Sequence, residues 1–161
     1  MELDLVGYYL DSDTKNKIEE TVNKFFAKAN PSVILLFDKG GRVVFFQGEK
    51  LNETEAEFLS SIMSALFFAS EELTKLIEDK DTMKDIFYET KNRIFIVARL
   101  EMEFLIGVIC KKDLSIGSVR LFFKDLVRDL NQLLQKVKRI EKRINKISPK
   151  ELEQKLMEIL S

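Results

Sequence analysis

Histidine is absent from this chain of 161 residues. That removes the commonest general base and the commonest metal ligand, and with them any Ser/His or Cys/His nucleophilic pair. The single cysteine, Cys110, has no mate for an internal disulfide, which fits a reducing compartment. It ends the apolar run Phe104 to Cys110, which marks it as a buried, inert thiol. Proline (2) and glycine (6) are scarce, so long disordered stretches are not expected. No apolar run approaches the ~20 residues that span a bilayer. The mixed, acidic start MELDLVGYYLD does not read as a secretory signal. A net charge of −1 argues against nucleic acid as a partner of the whole protein. These absences lead to the expectation of a soluble, cytoplasmic protein without cofactor, metal or catalytic site.

What is present is a large core in one domain: 45% of the residues are apolar, 13 of them Phe. Residues 13–29 put Ile18, Val22, Phe25, Phe26 and Ala29 on one helical face, closed by Asn30-Pro31. Two wholly apolar strands, Val33–Phe37 and Val43–Gln47, flank an Asp-Lys-Gly-Gly turn; strands without polar alternation are covered on both faces. A second helix opens with Asn52 as cap and Glu55 three residues on, and runs to about Ile77. Three strands follow: the alternating edge strand Asp85–Thr90, then Arg93–Arg99 and Phe104–Cys110. Ser115 opens a long helix, and Ser148-Pro149-Lys150-Glu151 opens a last one.

The long helix changes character along its length. Val119, Phe123, Leu126, Leu130, Leu133, Val137, Ile140, Ile144 and Ile147 keep a 4-3 alternation, widened by further apolar residues only up to Leu134. The helix is therefore expected to leave the domain near 135 and project for about 12 residues, roughly 18 Å. This divides the chain into a domain over 1–135 and a basic helical extension over 136–161. Residues 136–150 carry seven basic side chains against Glu141, a net of +6, whereas 49–89 carry 11 acidic and 4 basic, a net of −7. Lys136, Arg139, Lys142, Arg143 and Lys146 form a candidate docking face for an acidic partner, with a solvated basic helix as the plain alternative. Too few aromatics accompany them for stacking on bases, and a membrane would be reached only through a partner.

The second helix carries more apolar surface than one buried face needs. Phe58, Ile62, Ala65, Ala69, Leu73 and Leu76 are read as the sheet-facing stripe. The surplus, Leu59, Met63, Leu66, Phe67, Ser70 and Ile77, is read as a self-association face, next to an edge strand offering Ile86, Phe87 and Tyr88.

The segments ILLFDKGGRVVFFQG, ETEAEFLSSIMSALFFASEEL and FLIGVICKKDLSIGSVRLFFKDLVRDL, in this order, resemble the roadblock/dynein light-chain superfamily over residues 14 to 134. The resemblance implies an α+β fold of the roadblock/profilin-like type, a five-stranded antiparallel sheet in the order 2-1-5-4-3. It places the second helix on one face and the first and third on the other. It further implies homodimers joined through the second helix and a neighbouring edge strand. The resemblance implies the family's usual role, to bind or regulate small Ras-like GTPases or to scaffold other assemblies, without enzymatic chemistry. Two rival readings are a PAS- or GAF-like sensory domain with an internal ligand cavity, and a structural subunit docking through its tail. Gly40-Gly41 reads as a turn and not a phosphate loop, because no helix start follows and GxxxxGK[ST] is missing. None of Arg42, Arg93, Arg99, Arg120, Arg128, Arg139 and Arg143 is marked as an arginine finger.

Overall fold

The computed structural model describes residues 3–5, 8–145 and 149–160, with side chains described for 11–136 and for most of the last helix. Asp11 caps α1 (Ser12–Ala29), its carboxylate accepting from the Thr14 amide at 2.7 Å. Asn30, in the left-handed region at φ 44°, ends the helix ahead of Pro31. β3 (Val33–Asp38) and β4 (Val43–Gly48) form the expected hairpin. In its turn Asp38 Oδ1 accepts from the amides of Gly40 (3.0 Å) and Arg42 (2.9 Å), and Gly41 sits at φ 83°. α2 (Glu53–Lys75) starts at Asn52, whose side-chain oxygen accepts from the Glu55 amide at 2.8 Å. Then come β5 (Asp85–Glu89), β6 (Arg93–Arg99) and β7 (Phe104–Lys111), the long helix α3 (Ile116–Asn145) and α4 (Pro149–Leu160). The first eleven residues, unassigned by sequence, contain a small hairpin of β1 (Leu3–Leu5) and β2 (Tyr8–Leu10).

The main sheet is antiparallel in the order β4-β3-β7-β6-β5, the expected 2-1-5-4-3. Alternation sorts its side chains onto two layers. Ile34 and Leu36 of β3, Ile94 and Ile96 of β6 and Val108 of β7 face α1 and α3, where they meet Val22, Phe25, Val119, Phe123 and Leu130. Leu35, Phe37, Val97, Leu105 and Ile109 face α2. Both sides of β3 and β7 are thus buried, as their unbroken apolar runs require. The β6–β7 connection is a short turn over Glu101–Glu103 with Met102 and Glu103 at φ 60° and 63°. Asn131 of α3 accepts the Glu101 amide at 2.9 Å and holds that turn against the helix.

α2 lies on the sheet with a different face from the one expected. Phe58, Ile62, Leu73 and Leu76 are 44–85% exposed, whereas Ala56, Ser60, Met63, Ser64, Phe67 and Glu71 are buried. Size decides the phase. Gly107 in the central strand β7 leaves no side chain beneath α2, and Met63 fills that space in contact with Phe37's layer. Small Ala56, Ser60 and Ser64 let the helix approach, and Ser64 Oγ donates to the Lys39 carbonyl at 2.6 Å. The bulkier apolar residues are left outside.

Candidate functional site: the outer face of α2 and the β5 edge

Among the described residues, a row of exposed apolar side chains runs along α2. Phe58, Ile62, Leu66, Leu73 and Leu76 follow one another at spacings of 4, 4, 7 and 3, with exposed Ala65 and Ala69 between them. Such a row stays on one side of a helix and forms a continuous strip. Ile77, just past the helix end, is 87% exposed. Of the residues expected on the association face, Leu66 and Ile77 lie at this surface, and Leu59 and Ser70 are half-buried at its margin. Met63 and Phe67 do not: at 4% and 0% exposure they belong to the core beneath the helix. Their expected place was wrong for the same reason as the stripe's, since apolarity alone does not tell which of two faces meets the sheet.

The strip adjoins β5, which is an edge of the sheet. Ile86 packs toward α2, and the Tyr88 hydroxyl stands 3.4 Å from Ser70 Oγ on the same side. Phe87 points to the opposite face, where the Arg120 guanidinium sits 4.8 Å from its ring centre. An apolar helix face beside an unpaired strand edge combines two features suited to a second protein surface: area to bury and a ladder to extend.

A buried ion pair fixes the α2 end of this surface, and sequence reasoning missed it. Glu71, one of the 11 acidic residues counted over 49–89, is 6% exposed and lies one and two helical turns past Phe67 and Met63. Its two carboxylate oxygens accept from Arg99 at 2.8 and 2.9 Å, and one also accepts the Met83 amide at 2.9 Å. The Arg99 bonds hold the Glu71 carboxyl below the ordinary carboxylate range. Arg99 also stands 5.4 Å from the Phe67 ring centre, so the pair ties β6 to the core layer under α2. The signal in the sequence was position: Glu71 continues the Met63–Phe67 stripe at a spacing of four.

The basic docking face is only partly described. Lys136 is exposed, Arg139, Lys142 and Arg143 are placed on the α3 backbone without described side chains, and Lys146 lies outside the described residues. Leu134 is buried, and α3 continues as one helix past it. On α4, Leu156, Met157, Ile159 and Leu160 are exposed. Burial pushes the Cys110 thiol up to about 11, consistent with an inert core residue. Among the described residues no cluster of acidic and cysteine side chains is arranged to hold a metal ion, and no helix is long and apolar enough to cross a membrane.

Comparison with known proteins places this architecture. The chain is 58% identical over 160 residues to an uncharacterised protein of Aquifex aeolicus (strain VF5), with 99% of each chain covered. It superimposes on Myxococcus xanthus MglB with a TM-score of 0.70 at 22% identity, covering 80% of this chain and 94% of that one. The gliding protein MglB from Thermus thermophilus gives a TM-score of 0.72 at 14% identity, covering 83% and 99%. At these identities the two solved structures show the fold. The Roadblock/LC7 domain model matches residues 17–110, more than half of the chain, and the chain belongs to the Roadblock/LC7 family.

Proposed function

We propose that this protein is a non-enzymatic, homodimeric roadblock module that binds a small Ras-like GTPase and regulates or positions it. The observation that carries the reading is the uncovered apolar strip of α2 beside the free β5 edge, on a roadblock fold shared with MglB. Burying that strip against its copy removes surface that a lone chain would expose to water. Two α2 helices and two β5 edges meeting about a two-fold axis would give a paired sheet with a broad continuous surface. On that surface a globular partner can be held without any catalytic group from this chain. Regulation of a GTPase then acts by orienting the GTPase's own residues or by stabilising one nucleotide state. The extension over 136–161 is a separate arm of the same module and adds a basic surface for the partner.

Sedimentation of the purified protein tests the first half, with a dimer expected. Affinity capture with the tagged protein in GDP and in a non-hydrolysable GTP analogue tests the second. Retention of a small GTPase in one nucleotide state supports the reading, and its absence in both states removes the GTPase from it.

A further inference from the structure

The geometry points to one specific dimer register, with the two β5 strands pairing antiparallel about Tyr88. In that register Asp85 faces the partner's Lys91, and Phe87, with Arg120 over it, faces the partner's Glu89. This inference rests on the α2–β5 dimer proposed above and goes further by fixing its strand pairing and the charges that set it.

Hydrogen-bond parity limits the choices first. The Thr90 amide donates to the Arg93 carbonyl (2.9 Å) and the Arg99 amide to the Lys84 carbonyl (3.1 Å). Even-numbered residues of β5 therefore spend their backbone groups on β6, and Asp85, Phe87 and Glu89 direct theirs to the free edge. A two-fold axis perpendicular to the sheet keeps both α2 helices on one side, as the apolar strip requires. It can pass through Ile86, Phe87 or Tyr88 with the outward groups still in phase.

Chemistry separates the three. Centring on Ile86 pairs Met83 with the partner's Glu89, but the Met83 amide is already bonded to Glu71. Centring on Phe87 places Asp85 directly opposite the partner's Glu89, twice per dimer, and like charges directly opposed destabilise a sheet pair. Centring on Tyr88 removes that repulsion and brings Asp85 to the partner's Lys91, which lies in the β5–β6 turn two residues past the strand end. It also lays the partner's Glu89 beside Arg120, which covers Phe87 on that face. Within its own chain Glu89 holds Lys112 at 2.7 Å, so Arg120 would become its second cation. Asp85, Lys91 and Arg120 have no ion-pair partner within the described chain, so all three charges are available. The two Tyr88 rings then meet at the axis on the α2 side, next to Ser70.

Cysteine scanning of the full-length protein reads the register directly. Residues on the axis face their own copies at a Cα separation of about 4.5–5.5 Å, within disulfide range, while residues one position off do not. Tyr88→Cys is expected to cross-link fastest under mild oxidation, with Ile86→Cys and Phe87→Cys slow; the native Cys110 thiol is buried. Fast cross-linking of Phe87→Cys or Ile86→Cys instead overturns this register while leaving the dimer in place. A wild-type protein that sediments as a monomer overturns the dimer itself, and the register with it. Charge reversal is the second measurement. Asp85→Lys should raise the dimer dissociation constant about tenfold, and Asp85→Lys with Lys91→Asp should return it close to wild type. Failure of the second change to rescue the first overturns the pairing.

Discussion

Arg99 and Glu71 form a two-pronged ion pair between the end of β6 and the last turns of α2, at 2.8 and 2.9 Å. A third bond, from the Met83 amide, ties the segment between α2 and β5 to the same carboxylate. Glu71→Ala leaves the guanidinium and the amide without their acceptor, and a loss of about 3 kcal/mol in unfolding free energy is expected by denaturant titration. The pH dependence follows from the lowered carboxyl value. The ion pair contributes fully above the ordinary carboxylate range, and its contribution is lost as pH falls toward and through the folded value. Glu71→Gln should therefore flatten this part of the acid limb and lower stability near neutrality.

Opposite faces of α2 should respond oppositely to mutation. Met63→Ala or Phe67→Ala empties the layer between α2 and the sheet and should cost about 2–5 kcal/mol. Ile62→Glu or Leu66→Glu puts charge on the outer strip, where it should abolish the dimer in sedimentation. Far-UV dichroism of those two variants should stay that of a folded chain.

Gly41 is constrained twice. Its φ of 83° suits glycine, and a Cβ there would stand 2.8 Å from the Ser61 Cα of α2. Gly41→Ala should lower stability by about 1–3 kcal/mol in thermal or chemical unfolding. At Gly40 an added Cβ would meet only the Asp38 carboxylate, at 3.4 Å, so alanine should be accepted there with a much smaller loss.

Removal of residues 137–161 should leave the domain folded, because Leu134 is the last buried residue described on α3. Dimerisation should persist and partner capture should weaken. Loss of the dimer on truncation would assign the extension to self-association instead of to the partner.

The strands and caps were legible because each has a local cause. Val33–Asp38 and Phe104–Lys111 are apolar on both faces, and Asn52 with Glu55 is a helix start wherever it occurs. Sheet order came from the resemblance, since pairing β3 with β7 is a choice between distant segments that no local pattern encodes. The phase of α2 was misread because both of its faces are apolar, and the deciding facts were the smallness of Ser60 and Ser64 and a glycine 44 positions beyond Met63. Glu71 was lost among the acids for a related reason: charge suggests solvent, and only the arrival of Arg99 at the end of β6, on the α2 side of the sheet, gives it a close cationic partner. The hairpin before α1 went unread although Met1-Glu2-Leu3-Asp4-Leu5 alternates apolar and polar residues just ahead of Gly7.

The two layers of this core are unequal. On the α1–α3 side four residues of α1, and five of α3 from Val119 to Leu134, are buried in the core cluster, whereas the buried apolar residues of α2 are Ala56, Met63 and Phe67, with Leu59 and Phe68 half-buried beside them. The outer side of α2 keeps an exposed apolar strip, which the proposed dimer would cover. Opening of α2 should then be governed by mass action: amide exchange in α2 and β5 slows as protein concentration rises, while exchange in α1 and the Val119–Leu134 stretch of α3 does not change. A dilute cell would hold a chain whose α2 layer breathes, and assembly would be the step that closes it.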